Sequence, residues 1–215
     1  YYNQVAGILT EFFDAHQPPM DDWRTLNWCM TLLRKYNEKY DIEQFNLLAG
    51  EDKKPLVELS FSIKLYTWQG WLPNSALGIN FPRSRILDER EGECLVSIDI
   101  IFTGKIDLPI AIDGSIYIND HKTTSMLGPM FWDQMRRSSQ AKGYVFAFEK
   151  VTGMKVYGYM INAIRTKEPP LYVQAGKQSS RSGQSPATWW NESLQRERFI
   201  IKPGDLDEWK RNTLT

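Results

Sequence analysis

The dipeptide Asp113-Gly114 is the feature that most constrains how this chain folds. Two β-rich runs flank it between Ile98 and Thr124, and Asp-Gly readily adopts the positive φ angles of a two-residue type I′ turn. Such a hairpin pairs residues whose numbers sum to 227, so it predicts Asp107 directly opposite Asp120 on the neighbouring strand. Pro109 lacks a backbone donor and is the residue that would shift this pairing through a bulge.

A pair of carboxylates on one face of a hairpin needs a chemical explanation. Carboxylates about 4.5 to 5.5 Å apart across two strands repel each other, so the pair disfavours folding unless a cation lies between them. Lys122 follows Asp120 by two residues and shares its face. Oxygen ligands favour Mg²⁺ or Mn²⁺, and a nearby lysine can orient or deprotonate an attacking water. This set suits phosphodiester hydrolysis, whereas an exposed strand end with ordinary charges is the structural alternative.

Residue periodicity predicts the elements around the hairpin. Helices are expected from Val5 to Phe13 and from Asp21 or Asp22 to about Tyr40. The later elements are expected to be a strand at 57–65, an irregular stretch at 74–93, a helix at 131–150, strands at 154–164, 171–175 and 198–202, and a mobile Ser/Gly-rich loop at 176–188. This order predicts an α/β (α+β) fold with a mixed β-sheet flanked by helices.

Composition excludes several classes of protein. The chain of 215 residues is 42% hydrophobic, which is sufficient for a core, and its 26 basic and 26 acidic residues give no general attraction to nucleic acid or anionic membrane. We find no stretch near the roughly 20 apolar residues of a membrane span and no leader, so we expect a cytoplasmic protein without a membrane partner. The chain begins without Met, and a helix that starts near Gly204 has no stop signal, so we expect truncated termini.

Two segments around the hairpin resemble a known nuclease superfamily. Gly104-Lys105-Ile106-Asp107 supplies a GxxD element, and Asp120-His121-Lys122-Thr123-Thr124 supplies a DxKTT element 13 residues later. Together they resemble the PD-(D/E)XK nucleases, and more closely the RecB-like branch that includes bacteriophage exonucleases and CRISPR-associated adaptation nucleases. The Gln and Tyr that this branch carries on the following helix match Gln140 and Tyr144.

The resemblance implies a role for each matching residue. Asp107 and Asp120 would bind one or two Mg²⁺ or Mn²⁺ ions, and Lys122 would be the catalytic lysine. The main-chain carbonyl of His121 would be a further metal ligand, while its imidazole would point to the opposite face. Glu58 matches the upstream glutamate of these families and would join the metal and catalytic groups; a solvent-facing salt bridge is the alternative interpretation.

Candidate DNA contacts lie on the helix after the hairpin. Arg136, Gln140 and Tyr144 recur every four residues and would form one polar stripe against a phosphate backbone, with Arg137 beside it; solvated arginines are the alternative. Some relatives hold an iron-sulfur cluster through four cysteines. Because this chain has only Cys29 and Cys94, we do not expect a cluster in it.

The sequence therefore predicts a single nuclease domain over residues 1–215. Its expected parts are N-terminal helices at 1–45, a catalytic core at 56–175, the mobile loop, and a C-terminal strand and truncated helix at 189–215. The expected activity is that of a metal-dependent deoxyribonuclease, with exonuclease action in phage or bacterial DNA recombination or processing and a recombination protein as a further partner. A catalytically inactive nucleic-acid-binding module and a restriction or junction-resolving endonuclease remain alternatives.

Overall fold

The computed structural model describes residues 2–16, 19, 22–40, 45–50 and 52–214. Its helices are α1 (Tyr2–Ala15), α2 (Leu26–Tyr40), α3 (Pro129–Arg136), α4 (Ser139–Thr152), α5 (Leu171–Gln174), α6 (Pro186–Ser193) and α7 (Asp205–Leu214). Its strands are β1 (Asn46–Leu47), β2 (Leu59–Pro73), β3 (Ile86–Arg90), β4 (Glu93–Ile106), β5 (Leu108–Ile112), β6 (Ser115–Thr124), β7 (Gly158–Arg165) and β8 (Leu194–Ile200). No helix of this described part is long and apolar enough to cross a membrane.

The strands form two sheets. A five-stranded sheet has the order β1-β5-β6-β7-β8, with β6 parallel to β7 and the other neighbours antiparallel. An antiparallel sheet has the order β2-β4-β3. The mixed sheet and its helices confirm the predicted α+β class. The chain passes from the second sheet to the first at Asp107, because β4 ends at Ile106 and β5 begins at Leu108.

The hairpin adopts the predicted register. Asp113 and Gly114 have φ angles of 49° and 77°, and Leu108 lies opposite Asn119, so paired numbers sum to 227. Pro109 lies opposite Ile118. Hydrogen-bonded and non-hydrogen-bonded pairs alternate along an antiparallel hairpin, and the pair that closes the turn is hydrogen-bonded. By this count, Pro109 and Ile118 form a non-hydrogen-bonded pair, whose backbone donors and acceptors point away from the partner strand. The missing donor of Pro109 therefore does not disturb the β5–β6 pairing.

The five-stranded sheet packs on both faces. On the front face, Ile118 and Ile161 lie in a core with Val145 and Phe148 of α4. On the back face, Leu194 packs with aromatic side chains of α2 and α6, among them the stacked Trp28 and Trp190. Asp120 and Lys122 share the parity of Ile118, so they lie on the front face, and Asn119 and His121 lie on the back face.

Two helix predictions are corrected. Helix α2 begins at Leu26, since the Thr25 hydroxyl accepts from the Trp28 amide; the carboxylate of Asp22 binds Arg24 instead, and Asp21 lies outside the described residues. The helix predicted at 131–150 is two helices, because Ser138 interrupts it and caps α4 by accepting a hydrogen bond from the Ala141 amide at 3.2 Å.

The other boundaries differ in detail. The strand expected at 171–175 is wrong: α5 forms there, following Pro169-Pro170. Strand β2 starts later and runs eight residues further than 57–65, and the stretch 74–93 contains two 3₁₀ turns but also β3. Strands β7 and β8 begin at Gly158 and Leu194 rather than at 154 and 198. Residues 175–185 are neither helix nor strand, as expected, whereas α6 already starts at Pro186.

Candidate active site

The junction between the two sheets places Asp107 beside Asp120. Leu108 and Asn119 form the β5–β6 pair furthest from the turn. One position further from the turn on each strand, Asp107 and Asp120 come together. The backbone amide of Glu58 donates to the Asp107 carbonyl at 2.8 Å, which continues the β2–β4 ladder past Ile106. Hydrogen bonds from both sheets therefore hold the backbone on either side of Asp107.

The glycine of the GxxD element has a packing reason. Gly104 lies opposite Phe61 in the β2–β4 ladder. A Cβ atom added at Gly104 would lie 2.6 Å from the Phe61 ring, which is too close for any contact of this kind. Because Gly104 has no side chain, the Phe61 ring can cover β4 and pack against Tyr144. The two rings meet edge to face, with their centroids 6.2 Å apart.

The two carboxyl groups and Lys122 form the centre of the site. Asp120 is 7% exposed, and its carboxyl lies within hydrogen-bond reach of Asp107. Burial raises the pKa of Asp120, the hydrogen bond from Lys122 lowers it, and the neighbouring Asp107 raises it again, with a net upward direction. The Lys122 Nζ lies 2.7 Å from the Asp120 Oδ2. Ionising both carboxyls is therefore unfavourable unless a cation joins them.

Lys122 is held from a second side by α4. Its Nζ donates to the Gln140 Oε1 at 2.9 Å, and the Gln140 Nε2 donates to the Tyr144 hydroxyl at 3.0 Å. Because the Ser138 cap fixes where α4 begins, it also fixes the turn from which Gln140 and Tyr144 project. The structure thus brings together five side chains that the sequence singled out, in the order Asp107, Asp120, Lys122, Gln140 and Tyr144.

The carbonyl of His121 points to the same edge as Asp107. The carbonyls of Ile116 and Thr124 accept from the β7 side of the sheet, from Tyr157 and Thr166, each at 2.8 Å. The direction of the carbonyl alternates along a strand, so the His121 carbonyl points away from β7. It faces the edge of β6 that β5 no longer covers. The imidazole lies on the back face, as expected, with its Nε2 3.4 Å from the Tyr36 hydroxyl.

Glu58 does not lie on a strand, which corrects one prediction. It precedes β2 and has a φ of 52°, a left-handed conformation that is uncommon outside glycine. Its side chain is 67% exposed and its Oε2 lies 2.9 Å from the Lys105 Nζ. The structure shows the salt bridge of the alternative interpretation. A role for Glu58 as a metal ligand stays a prediction, and it would require the carboxylate to leave Lys105.

The predicted polar stripe is wrong for its arginines. Arg136 ends α3, whereas Gln140 and Tyr144 belong to α4, so the break between the helices directs them differently. Arg136 lies 3.2 Å from Glu197 across the sheet edge, and the Arg137 Nε donates to the Asp133 carbonyl at 3.2 Å. DNA contact by either arginine stays a prediction, but not as part of the stripe.

The donor set fits one kind of metal. In the part of the chain that the structure describes, no three His, Cys, Asp or Glu side chains are grouped closely enough to hold a metal. The available donors are the carboxylates of Asp107 and Asp120 and the main-chain carbonyl of His121. Mg²⁺ is commonly bound through one or two carboxylates, with waters and substrate phosphate completing its octahedron. The arrangement therefore fits Mg²⁺ or Mn²⁺ rather than zinc.

Sequence reasoning missed the polar side chains behind Asp120, on the back face. Asn119, Asn162 and Arg196 meet there across three neighbouring strands. Alternation along β6 places Asn119 beside His121, but the position of Asn162 depends on the parallel register of β6 and β7, for which the sequence carries no local signal.

Comparison of this chain with protein-family models and with curated proteins gives no match in either case.

Proposed function

We propose that this protein is a metal-dependent nuclease of the RecB-like PD-(D/E)XK type, which hydrolyses phosphodiester bonds of DNA, in the first instance as an exonuclease. The continuous contact from Asp107 through Asp120 and Lys122 to Gln140 and Tyr144 is the observation that supports this proposal most strongly. Each residue comes from a motif on which the resemblance rests. We expect the protein to act on DNA in the cytoplasm, or in that of the host cell if it is viral, with a recombination protein as a partner.

The carboxylates would hold the metal and the lysine would handle water. Asp107, Asp120 and the His121 carbonyl share one edge and would ligate one or two Mg²⁺ or Mn²⁺ ions. A divalent cation held there would supply Lewis-acid polarisation of the scissile phosphate. Lys122, fixed by Asp120 and Gln140, keeps its third ammonium proton free to orient an attacking water or to donate to an oxygen of the phosphate.

Gln140 and Tyr144 would position Lys122. The amide of Gln140 accepts from Lys122 through its oxygen and donates to Tyr144 through its nitrogen, so neither end of the amide is left unpaired. A lysine side chain has many rotamers, and two fixed partners restrict it to the geometry that a reaction needs.

The test is a cleavage assay on three substrates: end-labelled linear duplex, single-stranded DNA and closed circular plasmid, each with Mg²⁺, Mn²⁺ or EDTA. Lys122→Ala is the variant. Lys155→Ala is a matched control, because that lysine pairs with Glu149 at 2.9 Å and neither residue belongs to the site. We expect metal-dependent loss of linear substrates by the parent and by Lys155→Ala, and none by Lys122→Ala.

Each other outcome points to an alternative. Nicked or opened circles would indicate an endonuclease on the same site. DNA binding without cleavage under any metal condition would indicate a binding module. Equal cleavage by the parent protein and a folded Lys122→Ala variant would contradict the site assignment itself.

A further inference from the structure

A row of polar side chains crosses the back face directly behind Asp120. Asn119 of β6, Asn162 of β7 and Arg196 of β8 lie on adjacent strands. The Asn162 Nδ2 donates to the Asn119 Oδ1 at 2.5 Å, and the Arg196 Nε donates to the Asn162 Oδ1. Both asparagines are 1% exposed. The amide of Asn162 is thus bonded at its nitrogen and at its oxygen within the sheet.

Helix α2 packs over this row of side chains and contacts it through Tyr36. The Tyr36 hydroxyl accepts from the Arg196 Nη2 at 3.0 Å and lies 3.4 Å from the His121 Nε2. The Asn162 Nδ2 lies at the same distance from that imidazole nitrogen. We call the five residues the back-face network: Tyr36, Asn119, His121, Asn162 and Arg196.

The network differs from the apolar packing beside it on this face. The neighbouring positions toward the start of β6 and β7 are Tyr117 and Met160, which pack with Ile110 and Ile112. Burying the two amides is unfavourable unless every polar group is bonded, and an apolar set of the same size is often as stable or more so. A polar network at this place is therefore better explained by the geometry it imposes than by stability.

The back-face network lies beside Asp120, so Asp120 is the residue whose geometry it can fix. Asn119 and His121 flank Asp120 on β6, and their side chains are both held in the network. Strand β5 begins at Leu108, opposite Asn119, so from Asp120 onward β6 is paired only with β7. Anchoring the two flanking residues on the back face restrains the backbone at Asp120, and with it the direction of the Asp120 carboxyl and of the His121 carbonyl.

We propose that the back-face network is a positioning device, which holds Asp120 and the His121 carbonyl in the arrangement that binds the catalytic metal. The inference rests on the proposed nuclease function. Tyr36, Asn162 and Arg196 act through the backbone of β6 and do not touch the metal or the DNA.

The test measures metal binding apart from activity. Asn162→Ala removes the centre of the network, and Tyr36→Phe removes one hydroxyl from its border. Thr31→Val is a matched control, since it deletes a hydroxyl of the same helix that donates to the Asn27 carbonyl. For each variant, circular dichroism reports folding, Mn²⁺ titration followed by electron paramagnetic resonance gives the half-saturating metal concentration, and cleavage at saturating Mn²⁺ gives kcat.

We expect a half-saturating Mn²⁺ concentration at least about fivefold higher for Asn162→Ala and about two- to threefold higher for Tyr36→Phe, with Thr31→Val unchanged. The kcat at saturating Mn²⁺ should fall less than the metal affinity. If Asn162→Ala does not fold, Tyr36→Phe decides. Folded variants with the metal affinity of the parent would overturn the positioning role alone. A parent protein that neither binds Mn²⁺ nor cleaves DNA would overturn the nuclease proposal, and this role with it.

Discussion

Two aspartates in neighbouring parts of the molecule have opposite environments. Asp99 of β4 receives hydrogen bonds from three side chains: Lys64, Thr67 and Arg85, at 2.6 to 2.8 Å. These bonds, with that from Lys64 the largest, hold the pKa of Asp99 well below its usual range. Asp120 of β6 is buried against a second carboxyl, and its pKa is raised, by burial first.

The difference underlies our proposal that Asp99 is a structural carboxylate and Asp120 a functional one. Asp99 joins β2, β4 and the turn before β3, and each of its contacts favours the charged form. Asp120 has one cation, Lys122, and an acidic neighbour that opposes its charge. A fold retains such an unfavourable pair where the pair does something that stability does not require, and metal binding is the chemistry that we propose for it.

The largest expected effect is on cleavage. Asp107→Ala, Asp120→Ala and Lys122→Ala should each reduce the cleavage rate by at least about 100-fold, because each removes a group that, in our proposal, binds the metal or acts on water. Asp99→Asn should leave the rate within about twofold, since Asp99 belongs to the second sheet and contacts none of the site residues. Initial rates on linear duplex DNA measure both effects. Full activity in folded Asp120→Ala would contradict the functional role proposed for Asp120.

The next effect is on metal-dependent stability. Millimolar Mn²⁺ should raise the melting temperature of the parent protein, because it binds the folded site and removes the repulsion between Asp107 and Asp120; at 100 times Kd the gain is about 2.7 kcal/mol. Asp107→Asn should weaken this rise and Asp99→Asn should preserve it. Differential scanning fluorimetry with and without EDTA provides the measurement. A parent melting curve that ignores Mn²⁺ would argue against the clustered carboxyls as a metal site.

These two predictions depend on parts of the site that the sequence encodes to different extents. The pairing of Asp107 with Asp120 could be predicted because the Asp113-Gly114 turn sets the register over a few residues, and Lys122 follows from alternation along one strand. The contact of Lys122 with Gln140 depends on how α4 packs across the front face, and only the resemblance pointed to it.

Other features escaped prediction for physical reasons. The break at Ser138 was missed because Ser139 to Thr152 continues the apolar spacing of the preceding segment, so periodicity alone reads one helix where a cap separates two. The second sheet was missed because alternation identifies strands but not their partners. The salt bridge between Glu58 and Lys105 depends on that sheet, since β2 and β4 must pair before the two side chains meet.

A smaller effect is expected from the groups that hold Lys122. Gln140→Ala should reduce the cleavage rate by roughly tenfold to 100-fold, because a hydrogen bond to a charged group contributes about 1.5 to 3 kcal/mol. Tyr144→Phe should reduce it less, since the hydroxyl acts on Lys122 only through Gln140. The loss should appear in kcat rather than in the Mn²⁺ concentration required. A larger loss in Tyr144→Phe than in Gln140→Ala would show that Tyr144 contacts the substrate itself.

The smallest effect is on the pH dependence of stability without metal, and its sign should be opposite for the two aspartates. The lowered pKa of Asp99 means that its stabilisation is present above the unfolded pKa, near pH 4, and is lost as the pH falls below that value. The raised pKa of Asp120 means that the protein loses stability as the pH rises through the folded pKa of that group.

Asp99→Asn should therefore lower the melting temperature at pH 6, and the gap to the parent should narrow as the pH falls below about 4. In EDTA, the melting temperature of Asp120→Asn should instead rise relative to that of the parent as the pH rises from about 4 to 7, because the amide never has to ionise beside Asp107. Melting curves across this range, with equal ionic strength, measure both trends. Parallel curves for the two variants would mean that the carboxylates do not differ in the way their surroundings imply, and that Asp120 is as well satisfied without a metal as Asp99 is.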